Sequence, residues 1–257
     1  METNSRRKFI NKAAIIGATT FCLPQMGTLA SNHRSHPPKT KLKDGAVILF
    51  QGDSITDGNR GRNEDPNHIM GHGYAFSIAS RIGADYPEKN YRFYNRGISA
   101  NKVTDLEKRW QADTLDLKPD VLSILVGVND SNSVVYNRTN PVSVEQYQEV
   151  YDALLEKTRA SFPEIILVLC EPFVLQVGRM NEKWDASYSD ILRRQAIVRK
   201  LSQQYDAVFV GFQEVFDKAC EKVPCDYWIW DGVHPTVAGH ELMARAWMKQ
   251  IEKRISF

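Results

Sequence analysis

The sequence predicts one α/β domain built around a parallel sheet that has helices on both faces. Short apolar runs alternate with longer segments of helical spacing, and the runs are apolar throughout rather than at every second residue. No linker or internal repeat divides the chain after residue 45. The 257 residues are 42% hydrophobic and 25% charged, a composition typical of a globular protein. We therefore expect a single domain over residues 45–257.

Five apolar runs have the length and the residue types of buried strands. Each is rich in Val, Ile, Leu or aromatic residues. The runs are Ala46–Gln51, Tyr91–Asn95, Val121–Val126, Ile165–Cys170 and Ala207–Val210. Because their apolar residues do not alternate with polar ones, both faces of each strand are expected to be covered.

The segments between these runs have the spacing of helices. The predicted helices are Tyr74–Tyr86, Lys102–Asp113, Val144–Ser161, Tyr188–Gln204 and a last one from about Thr236. A further short helix is predicted between the fifth strand and the segment that begins at Trp230. In the last helix, Met243, Trp247 and Ile251 recur four residues apart, which indicates a stripe that packs on the core.

The first 30 residues have the features of an export signal. Arg6-Arg7-Lys8 precede an apolar run, and small residues end the segment at Ala30, after which we expect cleavage. The run is too short for a stable membrane span. Residues 5–10 resemble a twin-arginine motif, with the general secretory route as the alternative. Bulky Phe21 before Cys22 does not fit a lipoprotein cleavage site. The sequence predicts an exported bacterial protein, periplasmic or secreted.

Composition constrains the remaining chain and its partners. Residues 31–44 contain Pro37-Pro38 and almost nothing apolar, so they are predicted to be a flexible leader. Without the first 30 residues the chain has 29 basic and 30 acidic residues. Neither nucleic acid nor an anionic membrane surface is therefore an expected partner. A small or neutral ligand is favoured, and the oligomeric state stays open.

Polar segments follow the predicted strands, at the edge where parallel α/β sheets bind ligands. They are Gly52–Gly58, Asn95–Ser99, Gly127–Asp130 and Trp230–Pro235. Acyl transfer requires a hydroxyl nucleophile, a base, a carboxylate that orients the base, and N–H donors for the oxyanion. Together these segments contain all four kinds of group.

In this order, the four segments resemble the sequence blocks of the GDSL esterases in the SGNH hydrolase superfamily, over about residues 46–247. The resemblance implies a flavodoxin-like three-layer α/β/α sandwich with a five-stranded parallel sheet, and a serine esterase that requires no metal or cofactor. It assigns the catalytic triad to Ser54, Asp231 and His234. It assigns the oxyanion hole to the backbone N–H groups of Ser54 and Gly97 and to the side chain of Asn129.

Other residues could bind a metal or form a disulfide. His68 and His72 lie four apart near Glu64 and Asp65, but Pro66 and neighbouring glycines indicate a loop, so no metal site is predicted. Cys170 ends an apolar strand and is expected to be buried. Cys220 and Cys225 lie just before the Asp231–His234 loop, and an export compartment permits a disulfide between them; whether they are bridged stays open.

Aromatic residues near the predicted site point to the substrate class. These are Trp184, Tyr188, Tyr227, Trp228 and Trp230, whose flat faces suit sugar rings, although core packing would also explain them. Export and polar loops favour hydrolysis of a short-chain ester, with acetyl the favoured acyl group, on a small-molecule or glycan substrate. A lysophospholipase or acyl-thioesterase is the alternative within the fold. A noncatalytic carbohydrate-binding protein is the alternative from another class.

Overall fold

The computed structural model describes residues 39–63 and 65–257. The predicted export signal with Cys22, the leader as far as Pro38, and Glu64 lie outside the described residues. The strands are β1 (Thr40–Lys41), β2 (Val47–Gly52), β3 (Arg92–Asn95), β4 (Val121–Leu125), β5 (Ile166–Cys170), β6 (Val208–Val210) and β7 (Ile255–Ser256).

Eight α-helices occur in this part of the chain. They are α1 (Ser54–Asp57), α2 (Tyr74–Asp85), α3 (Val103–Asp113), α4 (Val128–Val135), α5 (Val144–Ser161), α6 (Trp184–Gln204), α7 (Phe212–Cys220) and α8 (Val237–Ile251). Short 3₁₀ segments include Gly178–Lys183 before α6 and Cys225–Tyr227 after α7.

The main sheet has five parallel strands in the order β3-β2-β4-β5-β6. Alternate residues of each strand enter two separate cores, as Phe50 and Leu49 of β2 illustrate. Buried residues of α2, α7 and α8 share one core with Phe50, whereas those of α3, α5 and the C-terminal half of α6 share the other with Leu49. The molecule therefore has three layers, which confirms the predicted fold class.

The short helix α4 has no counterpart among the helices that the sequence predicts. Four of its residues, Asp130, Ser131, Asn132 and Ser133, are polar and buried, so the segment has no apolar stripe. Helix α6 also begins at Trp184, before the predicted start at Tyr188. Hydrophobic periodicity reports only helices that bury an apolar face, and α4 instead buries hydrogen-bonding groups.

The prediction of a flexible leader through residue 44 is wrong for its last part. Strand β1 pairs in parallel with β7 through Thr40–Ile255 and Lys41–Ser256. Leu42 is buried and donates its N–H to the carbonyl of Ser256 at 2.9 Å. A two-residue strand whose partner lies at the other end of the chain leaves no local pattern to detect. Among the described residues, no helix is long and apolar enough to cross a membrane.

Candidate active site

Ser54 lies at the junction of a central strand and a helix. Strand β2 ends at Gly52, and Ser54 is the first residue of α1. A Cβ at Gly52 would lie 2.3 Å from the carbonyl oxygen of Leu125 and 2.4 Å from Thr56 Oγ1, so only glycine fits. Asp53 caps the helix, because its Oδ1 accepts the Ile55 N–H at 3.0 Å. This junction presents Ser54 at the carboxyl edge of the sheet.

Ser54, His234 and Asp231 form one hydrogen-bonded chain. Ser54 Oγ lies 2.8 Å from His234 Nε2, and His234 Nδ1 lies 2.8 Å from Asp231 Oδ2. Asp231 Oδ1 also accepts the backbone N–H groups of Val233 at 3.0 Å and His234 at 2.7 Å. Burial alone would raise the pKa of Asp231, but the hydrogen bonds from His234 and Val233 lower it to about 2. The ionised carboxylate therefore fixes the imidazole with Nε2 toward Ser54.

The segment that follows β5 holds the Asp231 loop in place. Gly178, at φ +54°, packs so closely that a Cβ would lie 2.7 Å from Asp231 Cα. Leu175 donates its N–H to the carbonyl of Gly232 at 2.9 Å. Arg179 Nη2 lies 3.2 Å from Asp231 Oδ2. Sequence reasoning missed Arg179, because nothing in its neighbourhood along the chain reveals that it contacts Asp231.

The prediction that Gly97 is an oxyanion donor is wrong in this structure. Its backbone N–H already donates to Asn95 Oδ1 at 2.9 Å. A Cβ at Gly97 would lie 2.3 Å from the backbone nitrogen of Asp57. Glycine is therefore required here for the close approach of two backbone segments, and its N–H serves the turn itself.

Ala100 is the residue of the following turn whose N–H is free. The turn is fixed beside β2, because Ile98 donates to the carbonyl of Gly52 at 3.1 Å. Ala100 is exposed and left-handed, at φ +65°, and its N–H has no hydrogen-bond partner among the described residues. Left-handed backbone disfavours an L side chain, so this conformation is maintained by the surrounding turn. Sequence reasoning missed Ala100 because the family resemblance assigns the donor of this segment to Gly97.

Asn129 lies next to this turn. Its Nδ2 donates to the carbonyl of Asn101 at 3.2 Å. The adjacent residue Asp130 is buried and accepts the Val103 N–H at 2.9 Å, which joins α4 to the start of α3. The N–H of Ser54 also has no acceptor among the described residues. Ser54, Ala100 and Asn129 thus offer donors on three neighbouring segments at the ends of β2, β3 and β4.

Two buried carboxyl groups lie behind these donors. Burial, together with the nearby Asp130 carboxylate, raises the pKa of Asp53 to about 7, against the hydrogen bond from Ile55. Burial likewise raises the pKa of Asp130 to about 6. Within the described part of the chain, neither Oδ2 atom has a hydrogen-bond partner. Near neutral pH, these side chains are therefore partly protonated.

Cys220 and Cys225 are joined by a disulfide, with their Cα atoms 4.8 Å apart. The bridge links the end of α7 to the 3₁₀ turn that leads to the Asp231 loop. Cys170 is a buried free thiol, as predicted. No group of three or more His, Cys, Asp or Glu side chains in the described ranges has the arrangement of a metal site.

Aromatic side chains flank the site on one side. Trp230 is 65% exposed, and its ring lies 6.3 Å from the ring of His234 at an interplanar angle of 23°. Tyr227 is also exposed. By contrast, Trp184 and Tyr188 stack on each other and pack against the core. The structure therefore places one exposed aromatic ring, that of Trp230, next to His234.

The parallel α/β sandwich and the Ser54–His234–Asp231 chain at its carboxyl edge define a serine hydrolase. Residues 50–242 match the GDSL-like Lipase/Acylhydrolase family. The chain belongs to this family, and it is a carboxylic-ester hydrolase of the SGNH type.

Individual relatives agree with this assignment. The chain is 32% identical to an acetylxylan esterase of Geobacillus stearothermophilus over 216 residues, which cover 82% of this chain and 96% of the relative. The crystal structure of that enzyme superposes with a TM-score of 0.73. A GDSL-like lipase from Parabacteroides merdae is 40% identical, with a TM-score of 0.78 over 84% of this chain and 100% of that one.

Proposed function

We propose that this esterase removes short-chain acyl groups, above all acetyl, from carbohydrate esters. The observation that carries the proposal is the chain of two 2.8 Å contacts from Ser54 Oγ through His234 to Asp231. The similarity to an acetylxylan esterase over nearly the whole of that relative supports the acyl group and the substrate class.

In the proposed mechanism, Ser54 is the nucleophile and His234 is the base. Asp231 accepts a hydrogen bond from the Nδ1–H of His234, so that Nε2 takes the proton of Ser54 as its Oγ attacks the ester carbonyl. His234 then returns the proton to the departing alcohol, which leaves an acyl-enzyme. Water, activated by the same histidine, attacks the acyl-enzyme and releases the acid. Every proton in this cycle moves through His234, and none of these steps uses a metal or cofactor.

The negative oxygen of the tetrahedral intermediate requires hydrogen-bond donors. We assign this role to the N–H of Ser54, the N–H of Ala100 and the side-chain amide of Asn129. Ala100 replaces Gly97, whose N–H is bound to Asn95. Donors that are already oriented before reaction stabilise developing charge without reorganisation, which is the reason for building the site on backbone groups.

Trp230 supports a carbohydrate alcohol. An exposed indole beside the base presents an apolar face on which a sugar ring can stack while its ester reaches Ser54. Substitution of Trp230 by Ala should therefore raise KM for a glycan ester more than KM for a small activated acetate.

The substrate proposal is tested by acetate release from acetylated xylo-oligosaccharides, together with chromogenic acetate and octanoate esters. We expect acetate release from the glycan and faster turnover of acetate than of octanoate, with neither activity in Ser54→Ala. Preference for octanoate would favour the lipid or thioester alternative. Labelling of Ser54 without turnover of any acetyl ester would contradict the acyl group that we propose.

We also propose that the protein is exported. The Cys220–Cys225 disulfide supports this, because disulfides persist in oxidising compartments. Replacing Arg6 and Arg7 together by Lys should leave unprocessed protein inside the cell if the twin-arginine route is used. Unchanged secretion would favour the general route, and the mature N-terminus should lie near Ser31.

A further inference from the structure

Arg109 of α3 connects the segments that supply the three proposed oxyanion donors. Its Nη1 donates to the carbonyl of Arg96 at 2.8 Å, and its Nη2 lies 3.3 Å from the carbonyl of Gly52. Its Nε donates to Asn101 Oδ1 at 2.9 Å. The side chain is 15% exposed, and burial lowers its pKa, although Asp113 opposes that shift.

The residues that Arg109 contacts are connected to the proposed oxyanion donors, either by their position in the sequence or by a hydrogen bond. Gly52 precedes Ser54 by two residues, and Asn101 directly follows Ala100. The carbonyl of Asn101 in turn accepts from Asn129 Nδ2 at 3.2 Å. One guanidinium therefore contacts the backbone before Ser54 and the turn that carries Ala100, and it holds the residue to which Asn129 is bound.

We propose that Arg109 is the positioning residue of the oxyanion hole, setting the distances among the Ser54 N–H, the Ala100 N–H and the Asn129 amide. This inference rests on the proposed function. Arg109 touches neither the nucleophile nor the base, so it acts on the charge that develops in the transition state and not on proton transfer.

The guanidinium suits this role because its orientation is fixed. Asp113 Oδ2, one turn along the same helix, accepts from Nη1 at 3.0 Å, and Gln51 Oε1 accepts from Nη1 at 2.9 Å. Gln51 is itself buried and donates to Thr114 Oγ1 at 2.8 Å. A planar group with five donors can bind several acceptors at fixed angles, whereas a lysine ammonium offers a single point charge.

A purely structural arginine is available as a control. Arg159 donates to the carbonyls of Pro163 and Ile165, both at 2.8 Å, and of Tyr205 at 2.9 Å. These acceptors precede β5 and β6, so Arg159 lies at the opposite edge of the sheet from Ser54. If arginine–carbonyl contacts serve stability alone, substitutions at the two positions should have the same consequences.

The test compares Arg109→Lys and Arg109→Gln with Arg159→Lys and Arg159→Gln. The measurements are kcat and KM on an activated acetate ester, affinity for a boronic acid that forms a tetrahedral adduct on serine, and thermal stability. For Arg109→Gln we expect kcat to fall roughly 10²-fold, since small misplacements of transition-state groups have effects of this size. KM should change little, and boronate affinity should fall in parallel with kcat/KM. Arg109→Lys should be nearly as impaired, because lysine keeps the positive charge but lacks the planar set of N–H donors.

Both Arg159 variants should lose thermal stability but keep kcat and boronate affinity. The shape of the pH–rate profile should be the same in Arg109→Lys and wild type, because the base is untouched. The inference is overturned if the Arg109 variants keep wild-type kcat and boronate affinity, or if only KM changes. An active Ser54→Ala variant would instead contradict the proposed function, so the two failures are distinguishable. Should Arg109→Gln not fold, Arg109→Lys decides the question alone.

Discussion

Asp231 holds His234 through both of its carboxylate oxygens. Oδ2 lies beside ring atom Nδ1 of His234, while Oδ1 accepts the backbone N–H of the same residue. Replacement by Asn should preserve this geometry but favour the imidazole tautomer that presents a proton toward Ser54. We expect Asp231→Asn to lower kcat roughly 10⁴-fold. Steady-state kinetics of both proteins on an activated acetate ester measure this loss. An Asp231→Asn variant as active as wild type would argue against a histidine base oriented by Asp231.

Asn129 is the proposed side-chain donor of the oxyanion hole. Truncation to Ala should lower kcat roughly 10²- to 10³-fold with a smaller change in KM, because the amide binds the oxygen more strongly once that oxygen is charged. Steady-state kinetics on an activated acetate measure this. A loss confined to KM would instead make Asn129 a substrate-binding residue.

Asp53 should make stability depend on pH. Its pKa is about 7 in the folded protein, against an ordinary value of 3.8 for an aspartate, so between about pH 4 and 7 the folded state binds a proton that the unfolded state has lost. The contribution of Asp53 to stability therefore falls as pH rises through this window. Asp53→Asn keeps a capping oxygen but has no carboxyl to ionise. Urea unfolding should show that the stability of Asp53→Asn relative to wild type increases from about pH 4 to pH 7 and then levels off. A difference independent of pH would contradict this account.

At the scale of elements, sequence reasoning succeeds where burial is apolar. The predicted strands end within about one residue of the observed ones because both of their faces enter a core. It fails at α4, most of whose buried side chains are polar, and at β1, whose partner β7 is distant in the chain.

The candidate site shows the same limit at individual positions. The triad residues stand in recognisable blocks, and the structure brings all three together. The family resemblance predicts Gly97 as a donor, but the availability of its N–H depends on the Asn95 side chain, which accepts it. Arg109 and Arg179 come near the site only through folding, so no spacing in the sequence reveals them.

The disulfide belongs to the scale of elements, because it ties α7 to the turn before the Asp231 loop. The carbonyl of Tyr227 in that turn accepts from Thr236 Oγ1 at 2.8 Å, just beyond His234. Closing such a short loop contributes about 2 kcal/mol in the chain-entropy account. Reduction should therefore lower the melting temperature and the activity without unfolding the sheet. Cys220→Ser/Cys225→Ser is the matched control, and reductant should have no further effect on it. Equal activity of oxidised and reduced wild type would remove this role.

For the whole molecule, the two ends of the sheet have different tasks. The carboxyl edge carries Ser54, Ala100, Asn129 and the Asp231 loop, each at the end of a strand or in a loop supported by one. At the opposite edge, Arg159 donates to backbone carbonyls and β1 pairs with β7. None of the site residues takes part in these contacts. Stability and chemistry can thus be separated by mutation, since a change at one edge should leave the other in place.

The central claim, that Ser54 is the nucleophile activated by His234, is tested most directly by a serine-directed fluorophosphonate. Intact mass and peptide mapping should show one adduct, on the peptide that contains Ser54, with loss of esterase activity in proportion to labelling. Ser54→Ala should remain unlabelled, and His234→Ala should label far more slowly because its serine lacks a base. An adduct on another serine, or full activity in a protein that is fully labelled at Ser54, would contradict the assignment.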